Sequence, residues 1–139
     1  MFLLVEQVFS GFLVKISKGM VASYINYITS YFILDRDEPP EKLDDCYSYA
    51  LRIKAQATKR KDLEPLRLGI DYLLCHSEID LDSHGGIYPF DDDEVRQILY
   101  YIRSVVWSDK LEVNCEEVKD VELLNTTNTD WWKTRGVKP

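Results

Sequence analysis

Seven carboxylates crowd the stretch from Glu78 to Glu94, at positions 78, 80, 82 and 91–94, with no lysine or arginine among them. They match the formal net charge of the whole chain, −7 at pH 7, so the other residues balance in sign. Two glycines, one proline and one histidine, His84, share the segment. Carboxylates grouped in this way suit three chemistries: ligation of a hard cation, general acid–base catalysis, or electrostatic capture of a basic partner.

Cation ligation can be tested on spacing. A twelve-residue helix–loop–helix calcium site places oxygen ligands at its first, third and fifth positions, a glycine at the sixth and a bidentate acid at the twelfth. Aligned on Asp80, the chain supplies Asp82 at three, Gly85 at six, an apolar Ile87 at eight and Asp91 at twelve. Against this, His84 stands at five and is a poor ligand for a hard cation. Asp91 is shorter than the usual closing glutamate, and Asp92 falls where the exiting helix normally turns an apolar residue inward. A calcium site formed by Asp80, Asp82 and Asp91 is therefore the alternative reading. The favoured one is an acidic connection whose glycines turn the chain and whose acids cap a helix.

Catalysis finds less support. His76 and His84 are the only histidines and lack the spacing of a metal pair. Cys75 and His76 are neighbours, and adjacent helical side chains point apart, so they do not form a nucleophile and its base. There is no glycine-rich phosphate loop and no G-x-S-x-G. The expectation is a protein that is not an enzyme and carries no cofactor.

The third chemistry is the one retained. Tyr88 and Phe90 stand inside the acidic segment, and aromatic rings are the anchors that protein interfaces favour. Asp80, Asp82, Asp91, Asp92, Asp93 and Glu94 would form an electrostatic face, with Tyr88 and Phe90 supplying anchor energy.

Helices must position these residues. Met20, Val21, Tyr24, Ile28, Tyr31 and Phe32 recur at helical spacing until Asp35-Arg36-Asp37, and Asp37-Glu38-Pro39-Pro40 reads as a connection. A second helix spans about 41–60, with Leu43, Cys46, Tyr47, Ala50, Ile53, Lys54 and Ala57 on one stripe. Its basic residues Arg52, Lys59, Arg60 and Lys61 read as a solvated helix end. A third begins at Asp62, a cap candidate, and turns Leu66, Ile70, Leu73 and Leu74 inward. A fourth opens at Pro89-Phe90 and has a core face of Val95, Ile98, Leu99, Ile102 and Val106. Residues 111–115 are expected to be extended, residues 116–124 a short helix, and residues 125–139 a polar tail carrying Trp131 and Trp132. Residues 2–16 fit either a buried helix or a hairpin turning at Ser10-Gly11, and of the two the helix is expected.

Composition bounds the rest. With 139 residues and 45% apolar content the chain makes one domain, here placed over 1–124, of mainly α class: a bundle of four or five helices. A sequence pI near 4.8 argues against direct nucleic-acid contact. The apolar start, Met1-Phe-Leu-Leu-Val, lacks a preceding positive charge and is interrupted at Glu6-Gln7, so it reads as core rather than a signal peptide or membrane span. Three scattered cysteines, an odd number without C-x-x-C, read as reduced thiols of a cytoplasmic protein.

Residues 66–106 resemble the small all-helical immunity proteins of the colicin D type. The likeness rests on Ile70-Asp71-Tyr72-Leu73-Leu74, on Asp80–Asp82, and on the helix opening Phe90-Asp91-Asp92-Asp93-Glu94-Val95. It implies an inhibitor that presents carboxylates to the basic cleft of a nuclease toxin. Phage inhibitors of bacterial defence proteins share this acidic, compact habit. A purely structural or oligomerisation role is the third alternative.

Overall fold

A computed structural model of the chain describes residues 14–36, 42–86, 90–110, 112–134 and 136. The first described element is β1 (Val14–Ser17), which turns directly into α1 (Lys18–Arg36). Ser17 sets that boundary. Its hydroxyl accepts from the Met20 amide at 3.0 Å and donates to the Thr126 carbonyl at 2.6 Å. A serine engaged in this way caps the helix and stops it running back, so the helix expected over 2–16 is replaced by strand at 14–16. The rest of that expectation, with the Ser10-Gly11 turn, lies outside the described residues.

The partner of β1 comes from far along the chain. β2 (Val121–Leu124) lies parallel to it, with Val14 opposite Val121 and Ser17 opposite Leu124. A hairpin joins antiparallel strands, so this two-stranded sheet is a different object from the hairpin alternative. It also corrects the helix expected over 116–124. Asn114 caps only a single 3-10 turn, Cys115–Val118, by accepting from the Glu116 amide. Beyond that turn the Asp120 carbonyl accepts from the Val14 amide at 2.7 Å, and the chain is drawn into the sheet.

The other helices follow their apolar stripes. A 3-10 turn at Leu43–Cys46 leads into α2 (Tyr47–Lys59). After it come α3 (Leu63–Cys75), a 3-10 turn at Leu81–His84, α4 (Asp92–Val106) and α5 (Asn128–Thr134). Met20, Val21, Tyr24 and Ile28 of α1 are buried, as are Ala50, Ile53 and Ala57 of α2, Leu66, Ile70 and Leu73 of α3, and the whole expected face of α4. Leu43 and Tyr47 are exposed instead, because the 3-10 turn shifts the register at the front of α2. The side chains of Tyr31 and Phe32 and the Pro39-Pro40 connection lie outside the described residues. Helix α1 crosses α3 closely at Gly69, where a Cβ would sit 2.5 Å from Val21 Cγ2.

A polar network lies inside this apolar frame. Asp71, fully buried on α3, accepts from Arg103 of α4 through Nε and, at 3.1 Å, Nη2, and from Arg67 Nη1 at 3.2 Å. Arg67 forks onto Glu117 at 2.9 and 3.1 Å and reaches Glu64 at 2.6 Å. Arg103 also donates to the Lys110 and Glu112 carbonyls. Two buried guanidiniums thus tie α3 and α4 to the segment between α4 and β2. Burial works against the Arg67 charge, but the hydrogen bonds to Glu117 and Glu64 outweigh it and hold the guanidinium above its usual range.

A disulfide between Cys75, at the end of α3, and Cys115 reinforces the same junction. It overturns the expectation of three reduced thiols. Cys46 is a buried thiol outside the disulfide. Among the described residues no helix is long and apolar enough to cross a membrane.

Candidate functional site

The acidic segment lies across the connection from α3 to α4, held in place by local hydrogen bonds. Asp80 caps the 3-10 turn by accepting from the Asp82 amide at 2.9 Å. Gly85, at φ +99°, takes the left-handed conformation that ends the turn, and a Cβ there would meet the Ala22 carbonyl oxygen at 2.4 Å. Its own carbonyl accepts from the Thr29 hydroxyl at 3.1 Å, fastening the turn to α1. His84 is buried beneath. Its Nδ1 lies 3.1 Å from both the Asp80 carbonyl and the Ser83 hydroxyl. Burial favours the neutral ring and moves its pKa below the ordinary histidine value; Lys18 adds to this, and the Asp80 contacts oppose it.

Asp91 and Glu94 form a reciprocal capping box at the start of α4: Asp91 accepts from the Glu94 amide at 2.8 Å, and Glu94 from the Asp91 amide at 3.0 Å. Asp92 accepts from the Leu81 amide at 3.3 Å and stands 4.0 Å from Arg96. Arg96 spends its other nitrogen on the His76 and Ile79 carbonyls, at 3.2 and 2.6 Å.

This arrangement sorts the candidate residues. Phe90 is buried at 5% exposure in the core. It anchors the connection to the protein's own interior and is corrected as a surface anchor. Tyr88 lies outside the described residues. Asp91, expected as the third cation ligand, is committed to the capping box. Asp80, Asp82 and Asp92 are brought together instead, each with a carboxylate oxygen within 4.8 Å of the others. By linear spacing, Asp92 is the residue that breaks the calcium pattern. The folding of residues 81–84 into a 3-10 turn, which brings Asp92 back onto the Leu81 amide, is not visible in linear spacing. Among the described residues, the side chains of Glu78, Asp82 and Asp93 make no hydrogen bond or ion pair, and all three are exposed.

A second constellation was missed. Asp62, expected as a helix cap, makes no side-chain cap bond. It is fully buried and accepts from Tyr24 Oη at 2.8 Å, Trp131 Nε1 at 3.0 Å and Trp132 Nε1 at 2.7 Å. The segment expected as a polar tail therefore folds back as α5, with Trp132 buried. The tryptophan pair was the available signal, since two adjacent indole N–H groups need acceptor partners when buried.

No family model, characterised protein or solved structure matches the chain.

Proposed function

We propose that the protein is a non-enzymatic binding protein that uses the α3–α4 connection as an acidic docking face for a basic macromolecular partner, in the manner of an inhibitor or immunity protein. The observation that carries this is the surplus of charge. Asp80, Asp91, Asp92 and Glu94 each have a structural task in the turn or the helix start. Glu78, Asp82 and Asp93 have none among the described residues, yet they add three exposed negative charges to the same stretch of chain. Exposed like charges repel and raise the cost of the compact state, which a basic partner relieves on binding. With Phe90 internal, steering by charge carries more of the recognition than aromatic anchoring. The Cys75–Cys115 disulfide stands against a cytoplasmic setting, because such bonds persist in oxidising compartments.

The test is capture from a lysate of the native host on the immobilised protein and on its Glu78→Lys, Asp82→Lys, Asp93→Lys variant. These three positions spare every hydrogen bond described above. A basic protein retained by the native surface, released as salt rises and absent from the variant is the expected outcome. Equal retention by both surfaces would remove the acidic face from the account.

One observation favours a second reading. Three carboxylate oxygens within 4.8 Å of one another suit a divalent cation bound by Asp80, Asp82 and Asp92, since calcium–oxygen distances of about 2.3–2.6 Å place ligand oxygens at such separations. It predicts that millimolar calcium raises the melting temperature and that Asp82→Ala abolishes the effect. An unchanged melting curve would eliminate it.

A further inference from the structure

The Cys75–Cys115 bond joins the last residue of α3 to the first residue of the 3-10 turn Cys115–Val118. Its two ends differ in access. Cys115 is exposed, whereas Cys75 is half-buried. Both line a surface groove of about 370 Å³, together with Leu74 of α3, Val113, and Arg96 and the exposed Tyr100 of α4. A small molecule can therefore reach the bond without the core opening. Disulfides that solvent reaches in this way are the ones that exchange, whereas enclosed ones are inert.

The surroundings of the bond are held by other means. Arg67 forks onto Glu117, two residues beyond Cys115. Arg103 holds the Lys110 and Glu112 carbonyls on the other side of it. Asn114 caps the turn, Val118 is fully buried, and the chain then enters the sheet beside β1. These contacts keep Cys115 against the end of α3 when the bond opens, so the same two sulfurs can close it again.

We propose that Cys75–Cys115 is a reversible thiol–disulfide exchange site for low-molecular-weight thiols, attacked at Cys115. The thiolate of the small thiol attacks Cys115 Sγ and forms a mixed disulfide there. The Cys75–Cys115 bond breaks, and its electron pair leaves on Cys75 as a thiolate. A second small thiolate then attacks the small-thiol sulfur of the mixed disulfide. Cys115 departs as a thiolate, the two small thiols are joined as their disulfide, and the protein has gained two electrons. An oxidised small disulfide runs the same steps backwards.

The groove suits the leaving sulfur. Arg96 donates to the carbonyl of His76, the residue after Cys75, at 3.2 Å and to that of Ile79 at 2.6 Å, which fixes its guanidinium at the end of α3. It shares part of its charge with Asp92 at 4.0 Å. A nearby cation favours thiolate over thiol. The two acids that follow Cys115 are offset, Glu116 by Lys119 at 3.9 Å and Glu117 by Arg67. Cys46, fully buried, takes no part. A bond closed in an oxidising compartment would open on entry to a reducing one, whatever the acidic connection binds.

The experiment exposes the full native chain to reduced glutathione, quenches samples with iodoacetamide and follows them by intact mass and peptide mapping. The opening rate is expected to rise in proportion to glutathione, with the helical circular dichroism retained. The trapped mixed disulfide should map to Cys115, Cys46 should stay unalkylated, and oxidised glutathione should restore the bond. With oxidised glutathione, Cys75→Ser should take up one glutathione at Cys115 at least about tenfold faster than Cys115→Ser takes it up at Cys75, because access limits exchange. Arg96→Gln should slow the opening and Arg96→Lys should recover it; equal rates in all three would remove Arg96 from the mechanism. An opening rate that is independent of glutathione and equal to global unfolding would overturn the site. So would a mixed disulfide trapped at Cys75, or loss of the helical signal on opening. The mapping and the rate law use the native chain, so they decide the matter even where a cysteine variant fails to fold.

Discussion

Three buried charged side chains, Arg67, Asp71 and Arg103, decide more of the stability than any surface carboxylate. Asp71 is the one buried acid that both guanidiniums share. Removing one partner from a buried pair leaves uncompensated charge, so Asp71→Ala is expected to lower stability by about 3–5 kcal/mol in chemical denaturation. A loss below about 1 kcal/mol would show that water or Glu117 replaces it. His84 sets the pH response of the acidic connection. Its folded pKa lies below its unfolded value, so the unfolded chain takes up a proton that the folded chain refuses. That contribution is whole above the unfolded value and is lost as pH falls towards the folded one. The melting temperature should therefore drop between about pH 7.5 and about pH 5.5, and less steeply in His84→Gln. Equal slopes would dissociate His84 from the effect. The sequence shows His84 as a misfit in a calcium loop. Its burial beneath that loop depends on Gly85 meeting α1, a contact between residues more than fifty positions apart.

At the scale of elements, α4 carries the most consequential local design. Its capping box is legible from Asp91 and Glu94 alone, three residues apart ahead of an apolar stripe. Asp91→Ala should cost about 1 kcal/mol, whereas Asp93→Ala should stay within about 0.5 kcal/mol, and equilibrium melts of the two variants separate structural from surplus charge. Comparable losses would mean that Asp93 is also structural. Helices α1 to α4 were readable because each buries a stripe of period 3.6, a signal contained within the element. The strands were not. Val14–Ser17 and Val121–Leu124 are four residues each, and only their pairing with one another, across more than a hundred residues, makes them strands. α5 was hidden for a similar reason: its polar residues look like a tail until Trp131 and Trp132 find Asp62.

Over the whole molecule, distant parts of the chain are fastened to the helical bundle in three ways: β1 to β2, α5 to Asp62, and Cys75 to Cys115. Cysteine spacing alone could not choose among pairings, and proximity in the fold does. The bond closes a separation of 40 residues, so its reduction should lower stability by roughly 2–4 kcal/mol, read as a drop in melting temperature with dithiothreitol that Cys75→Ser reproduces. An unaltered melt under reduction would contradict that contribution. The mainly helical class was legible from length and periodicity. The acidic connection was legible because its acids lie close together in sequence. The central claim is that the acidic connection steers a basic partner. The most direct measurement is the association rate of the captured partner with native protein and with the Glu78→Lys, Asp82→Lys, Asp93→Lys variant across a salt series. The account predicts an association rate that falls at least about tenfold in the variant and declines with salt for the native protein, while dissociation changes little. Association rates that coincide at every salt concentration would contradict it.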